Sequence, residues 1–271
     1  MSEHLEREIL INGSFVKIRH KGEGAPLALM AGFGGAPNWP EFAEILSATR
    51  HVYLISLPGQ DGSERGHDHL HTPLDWIVAA METMELAIGQ ERPVDLVACS
   101  AAGILATEIA ALAQQRLRSL ILIDPLGLYD PANPPRNPFD EAPFTRPKLL
   151  MADQERYKQT FDPPAHLDEM ERRLFEIDRY RCDEAMARLI WPFGDIKGRR
   201  RLHRIDSTPT LLIWGEEDKV VPPAYAQKYA ELIPASPKTE IIPGAGHLCI
   251  YDQPERVAET VLSFLAEIES A

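Results

Sequence analysis

Long apolar runs, cysteine and basic charge are all scarce in this 271-residue chain, and each shortage removes a class of function. No window approaches the roughly twenty uncharged apolar residues that a membrane-crossing helix needs. The N-terminal stretch MSEHLEREIL carries charge where a secretory signal would have an apolar centre. A soluble, cytoplasmic protein is therefore expected, with no membrane partner. The three cysteines, Cys99, Cys182 and Cys249, are odd in number and lack metal-type spacing, so three reduced thiols are expected rather than a disulfide framework or a zinc site. Only 28 Lys and Arg stand against 41 Asp and Glu, a formal net charge of -13. Nucleic acid and an anionic membrane surface would both repel such a chain, which leaves a small-molecule substrate as the expected partner.

Apolar residues, by contrast, make up 44% of the chain, enough to bury a sizeable core. The first segment, LEREILINGSFVKIRHKG, is two β-rich runs joined by Asn12-Gly13, a pair that tolerates the positive φ angles of a tight hairpin. Short apolar runs then alternate with longer amphipathic ones: PLALMAG, PEFAEILSAT, HVYLISL, PLDWIVAAMETMELAIG, VDLVAC, AAGILATEIAALAQQ and LRSLILID. Continuous apolar strands alternating with helices predict a parallel sheet covered on both faces. After Asp124 the alternation stops. A proline-rich stretch leads into the charged, helix-forming HLDEMERRLFEIDRYRCDEAMARLIW, and strand-like runs resume only with PTLLIWG and KTEIIPGAG. The middle block thus interrupts one α/β domain and is expected to lie over the strand ends as a lid. The predicted division is a core of residues 1–127 and 207–271 and a helical cap of residues 128–206. No fixed-period repeat and no other low-complexity tract is present.

In a doubly wound sheet the ligand lies beyond the carboxyl ends of the strands, so the residues just after each strand are the informative ones. Ala31-Gly32-Phe33-Gly34-Gly35 follows PLALM, Ser100 follows VDLVAC, Asp218 follows TLLIWG and His247 follows TEIIPGAG. A serine, an acid and a histidine at three strand ends, in that chain order, supply a nucleophile, an orienting acid and a base. Read alone, Ser100 is equally a hydroxyl at the start of a helix.

The segments LMAGFGG, LPGQDGS, DLVACSAAG, LILIDPLG, PTLLIWGEEDKVVPP and IPGAGHLCIYDQPE, in this order and spacing, resemble the α/β-hydrolase fold superfamily, specifically its capped single-chain bacterial members. The resemblance runs from Leu27 to Phe264 and is weakest in the cap. It implies an α/β fold with a doubly wound, mostly parallel eight-stranded sheet and a helical lid inserted after the sixth strand. It also implies a serine hydrolase that cleaves a small carboxylic ester, lactone or related carbonyl compound through an acyl-enzyme, with no metal and no cofactor. Ser100 matches the family's nucleophile, Asp218 its acid and His247 its general base. The backbone N–H groups of Phe33 and Ala101 match its oxyanion hole. Leu126 and Leu128 at the start of the cap, with Trp191 and Phe193 at its end, are expected to roof the substrate pocket or to pack the cap onto the core. Two further function classes remain open: a carbon–carbon bond hydrolase or cofactor-free lyase or transferase, and a non-catalytic small-molecule binder. Halide release is disfavoured, because it needs a carboxylate where Ser100 stands.

The chain departs from the family pattern at three places. Ala31 replaces the usual histidine before the glycine of the oxyanion loop, and Ala98 and Ala102 replace the glycines that flank the nucleophile. Asp124 is an alternative acid whose blander role is to fix the loop into the cap. Glu216 and Glu217 share a turn with Asp218 and are expected to be solvated. His67, His69 and His71, alternating in GHDHLH, read as a polar surface loop rather than a metal site. The basic run Lys197 to Arg204 (KGRRRLHR) reads as a solvated helix end rather than an anion site. Cys99 and Cys249 flank the site residues and read as buried structural thiols.

Overall fold

The computed structural model describes residues 3–142, 144–191, 193 and 200–270. In chain order the elements are β1 (Leu5–Ile11), β2 (Ser14–Lys21), β3 (Ala25–Met30), α1 (Glu41–Leu46), β4 (Arg50–Ile55), α2 (Pro73–Ile88), β5 (Val94–Cys99), α3 (Ala102–Leu112) and β6 (Leu117–Ile123). Then come α4 (Arg146–Leu150), α5 (Gln154–Phe161), α6 (Glu169–Ile190), β7 (Thr210–Gly215), α7 (Ala224–Leu232), β8 (Lys238–Ile242), α8 (Cys249–Asp252) and α9 (Pro254–Ser270). The strands form one eight-stranded sheet in the order β1-β2-β4-β3-β5-β6-β7-β8. β1 and β2 pair antiparallel with their neighbours, and every pairing from β4 to β8 is parallel.

The hairpin turn falls at Asn12 and Gly13, with φ of 49° and 81°. That is the left-handed pair which a tight turn between twisted strands needs. β5 and β7 are buried at every residue, because helices cover both faces of the sheet, whereas the edge strands β1 and β8 expose most of theirs. One core layer packs α2, α3 and α7 on the sheet through Trp76, Ile104, Leu105, Tyr225 and Tyr229. The opposite layer packs α1 and α9 through Phe42, Leu46, Val257, Val261 and Leu265.

The inserted helices α4 to α6 lie between β6 and β7. α6 begins at a capping box, in which Asp168 accepts the N–H of Glu171 and the Glu171 side chain accepts that of Asp168. Its first turns are exposed, while Cys182, Ala185, Met186, Leu189 and Ile190 in its second half are buried. Among the described residues no helix is long and apolar enough to cross a membrane.

Candidate active site

Ser100 occupies the turn between β5 and α3 at φ +52°, a left-handed conformation that costs a non-glycine residue of order 1 kcal/mol or more. The sheet holds it there. Its N–H donates to Ile123 O on β6 at 2.9 Å, and its carbonyl accepts from Gly103 and from Leu126, both at 3.0 Å. Ala98 and Ala102, in the places of the missing glycines, are fully buried and accommodated. The close approaches fall elsewhere. A Cβ on Gly103 would lie 2.6 Å from Pro125 Cβ, and one on Gly32 would collide with the Cys99 carbonyl and the Ser100 side chain.

The structure brings the three strand-end residues together. His247 Nε2 lies 2.7 Å from Ser100 Oγ, and His247 Nδ1 lies 2.9 Å from Asp218 Oδ2. The other Asp218 oxygen accepts the N–H groups of Val220 and Val221 at 2.8 and 2.9 Å, which fixes the carboxylate plane. Ser100, His247 and Asp218 are 0%, 1% and 6% exposed. In such a dry, oriented chain the imidazole can take a proton from the hydroxyl while the carboxylate stabilises the imidazolium. Glu216 and Glu217, immediately before Asp218, are exposed.

Among the described residues neither the Phe33 N–H nor the Ala101 N–H has an acceptor. The second belongs to the residue just before α3, so the positive end of the helix dipole adds to it. Two unpaired donors beside the Ser100 hydroxyl can receive negative charge that develops on a carbonyl oxygen.

Asp124 ends β6 at φ +48° and is fully buried, and its Oδ1 accepts the Gly215 N–H at 2.8 Å. It ties β6 to β7 rather than to the inserted segment. Burial, and then the charge of Asp218, push its carboxyl well above the usual range. Cys99, Cys182 and Cys249 are free and buried, and burial pushes all three thiols up, away from the reactive thiolate.

A cavity of about 120 Å³ reaches from Phe33, Gly34 and Leu248, next to His247, to Phe161, Arg146 and Arg179 of the insertion. A larger, more open groove of about 280 Å³ between α1, α5 and α8 includes none of the three site residues. The first cavity likewise includes none of the three, but it abuts Phe33 of the loop after β3 and Leu248, the neighbour of His247, and on that adjacency it is the candidate substrate space. Leu126, Leu128 and Phe193 meet around a separate gap of only about 10 Å³. The Trp191 side chain is 58% exposed and does not join them.

Sequence reasoning missed three features, two of them near the site. Asp252, five residues after His247, accepts N–H groups from Gly246, Ala152 and Asp153 at 2.7, 3.0 and 2.9 Å, and so ties the histidine loop to the insertion. Arg146 and Arg179 reach the cavity from the insertion, where distance in sequence hides their partners. His67 is not on a surface loop. A short 3₁₀ turn at Gly66–His69 turns it inward, fully buried, while His69 and His71 stay outside. His67 Nε2 lies 3.9 Å from Asp68 and 3.6 Å from Glu184, a set with the donor types for a metal. Both carboxylates are already bound by Arg65 and Arg188, whose positive charges oppose a cation there. In the basic run, Lys197, Gly198 and Arg199 lie outside the described residues. Arg201 pairs with the buried Glu108, and Arg204 donates to Ala111 O at 2.8 Å, so this part of the run is docked on α3 rather than solvated.

A profile described as the Alpha/beta hydrolase family matches residues 10–260. The chain is 28% identical to 2-hydroxymuconate semialdehyde hydrolase of Pseudomonas putida, over 99% of its own length and 97% of that protein's. It is 29% identical, over 89% of its length, to the dihydrolipoyllysine-residue acetyltransferase component of an acetoin cleaving system of the same species, and spans 64% of that protein. The structure of a bacterial membrane phospholipase A superposes with a TM-score of 0.79 at 23% identity, covering 99% of this chain and 87% of that one, a likeness of fold.

Proposed function

The chain belongs to the alpha/beta hydrolase family, and on that premise we propose that it is a serine hydrolase that cleaves a small carboxylic ester, lactone or related carbonyl substrate through an acyl-enzyme. The observation that carries this reading is the buried, hydrogen-bonded chain Ser100–His247–Asp218 with Ser100 held at positive φ. Ser100 Oγ attacks the carbonyl carbon as His247 Nε2 takes its proton. The N–H groups of Phe33 and Ala101 receive the negative charge that forms on the carbonyl oxygen. His247 then protonates the leaving group, and water, activated by the same imidazole, releases the acid and restores Ser100.

The test is treatment with a fluorophosphonate and location of the adduct by mass spectrometry. A single adduct on Ser100, lost in His247→Ala, is expected. No labelling under conditions that fully label a known esterase overturns the reading.

A second reading, hydrolysis of a carbon–carbon bond beside a ketone, is favoured by a specific feature of the cavity. Arg179 and the Arg146–Asp183 ion pair, at 2.6 Å, line it, and their net positive charge suits a substrate carrying a carboxylate. The end-to-end relative is named for such a compound, a muconate semialdehyde. Comparing turnover of a carboxylate-bearing vinylogous 1,5-diketone with that of p-nitrophenyl esters distinguishes the two.

A further inference from the structure

The oxyanion loop lacks the histidine expected at Ala31, and its Gly34 and Gly35 sit at φ of +83° and +63°. Such a loop has alternative conformations open to it. The Phe33 N–H points opposite the Gly32 carbonyl across one planar trans peptide, so whatever fixes that carbonyl aims the N–H. Gly32 O accepts from Gly35 N at 3.0 Å, within the loop itself. The ties that stabilise this arrangement come from outside. Both oxygens of Asp61 accept the Ala36 N–H, at 2.9 and 3.0 Å. Arg19 donates to Ala36 O at 2.5 Å, Tyr251 to Gly35 O at 3.4 Å, and Arg179 to Gly34 O. Each carbonyl from Gly34 to Ala36 is thus held by a different side chain.

Asp61 is 7% exposed, and Arg19 and Arg179 flank it at 3.8 and 4.0 Å. Three residues of the insertion helix α6 reach this arrangement. Arg179 binds the loop, Cys182 Sγ accepts the Asp61 N–H at 3.2 Å, and Asp178 accepts the Gly62 N–H at 3.1 Å. Residues 178, 179 and 182 lie on one face of the helix, so they dock or leave together.

We propose that Asp61, Arg19 and Arg179 are positioning residues for the oxyanion hole, and that seating of α6 on the loop from Gly32 to Ala36 completes the hole. The inserted segment then acts as a lid that couples closure to catalysis: with α6 away, Ser100 and His247 remain paired but the Phe33 N–H loses its fixed direction. This inference rests on the serine-hydrolase reading.

The test is saturable inactivation by a fluorophosphonate, which separates the affinity KI from the bond-forming rate kinact, together with titration of the reactive fraction. Asp61→Asn removes charge at constant shape, Arg179→Met removes the tie from α6, and Arg179→Lys returns a donor. Removing an oxyanion donor outright costs about 10²–10³, so disordering one is expected to lower kinact about 10- to 100-fold in Asp61→Asn and Arg179→Met. KI should stay within about threefold, and Arg179→Lys should recover part of the loss. The Arg179 side chain is 17% exposed against 3% for Asp61, so Arg179→Met carries the test if Asp61→Asn does not fold. Wild-type kinact in a folded variant, or a loss confined to the titrated fraction, overturns the positioning role. Failure of the wild-type protein to label at Ser100 overturns the hydrolase reading itself, a separate outcome.

Discussion

Replacing each of the two buried acids behind His247 by asparagine tests whether Asp218, rather than Asp124, is the acid of the proposed hydrolase. Asp218→Asn keeps the shape but gives His247 Nδ1, 2.9 Å away, an ambiguous partner, so the imidazole loses its enforced tautomer and its imidazolium loses the facing charge. In a serine protease with the same arrangement this change costs about 10⁴ in kcat, and the same order is expected here. Asp124 is different because burial and the charge of Asp218 push its carboxyl well above the usual range and so favour its protonated form. Asparagine reproduces a neutral acid, and its carbonyl can still accept the Gly215 N–H now bonded at 2.8 Å. Asp124→Asn should therefore cost less than about 1 kcal/mol, a factor of about 5 in rate at most. Linkage gives a second readout. Because the folded carboxyl of Asp124 lies above its unfolded value, stability is lost as pH rises from about 4 toward the folded value, by at most about 1.4 kcal/mol per pH unit. Asp124→Asn lacks this slope and should gain in melting temperature relative to wild type as pH rises above about 4. The assay is p-nitrophenyl butyrate turnover with melting curves at several pH values. A folded Asp124→Asn as inactive as Asp218→Asn would make Asp124 the triad acid and refute the argument.

Gly103→Ala places a methyl 2.6 Å from Pro125 Cβ and 3.0 Å from its Cα, and should cost about 1–3 kcal/mol, read as a melting temperature lower by several degrees. Ala102→Gly, which restores the family residue, should lose about 0.5–1 kcal/mol from the start of α3 and leave the phosphonylation rate of Ser100 unchanged; a tenfold gain would show that the methyl impairs the turn. Phe161→Ala should shift the preference between short and long p-nitrophenyl esters, since Phe161 lines the cavity. Trp191→Ala, at a side chain 58% exposed, should change neither that preference nor the melting temperature.

The sheet was legible in the sequence because burial on both faces makes strands such as β5 and β7 continuous apolar runs, and because Asn12-Gly13 marks the hairpin. The candidate triad was legible because chain order and strand ends locate it without any knowledge of packing. What stayed hidden depends on partners far apart in sequence. His67 reads as one of three alternating polar residues, yet a single 3₁₀ turn is enough to bury it while leaving His69 and His71 outside. Asp124 looks like a loop residue until Gly215, 91 positions later, is seen to donate to it. Asp61 stands 121 residues from Cys182 and 25 from Ala36, and no local pattern announces that it joins them.

The alanines around Ser100 show how a motif can lose its residues and keep its physics. Glycine serves a nucleophile turn in two ways, by allowing a backbone angle and by allowing two chains to pass closely. Here Ser100 itself carries the unusual angle, braced by Ile123, Gly103 and Leu126. The close passages fall one residue later, at Gly103 against Pro125, and on the neighbouring loop at Gly32 against Cys99 and Ser100. Ala98 and Ala102 instead point into the core layer beneath the helices, where their methyl groups are buried among apolar neighbours. Two extra methyls therefore add packing without crowding the serine, and the 2.7 Å contact between Ser100 Oγ and His247 is retained. The residue whose substitution should disturb that contact is Gly32, because any side chain there meets the Ser100 side chain directly.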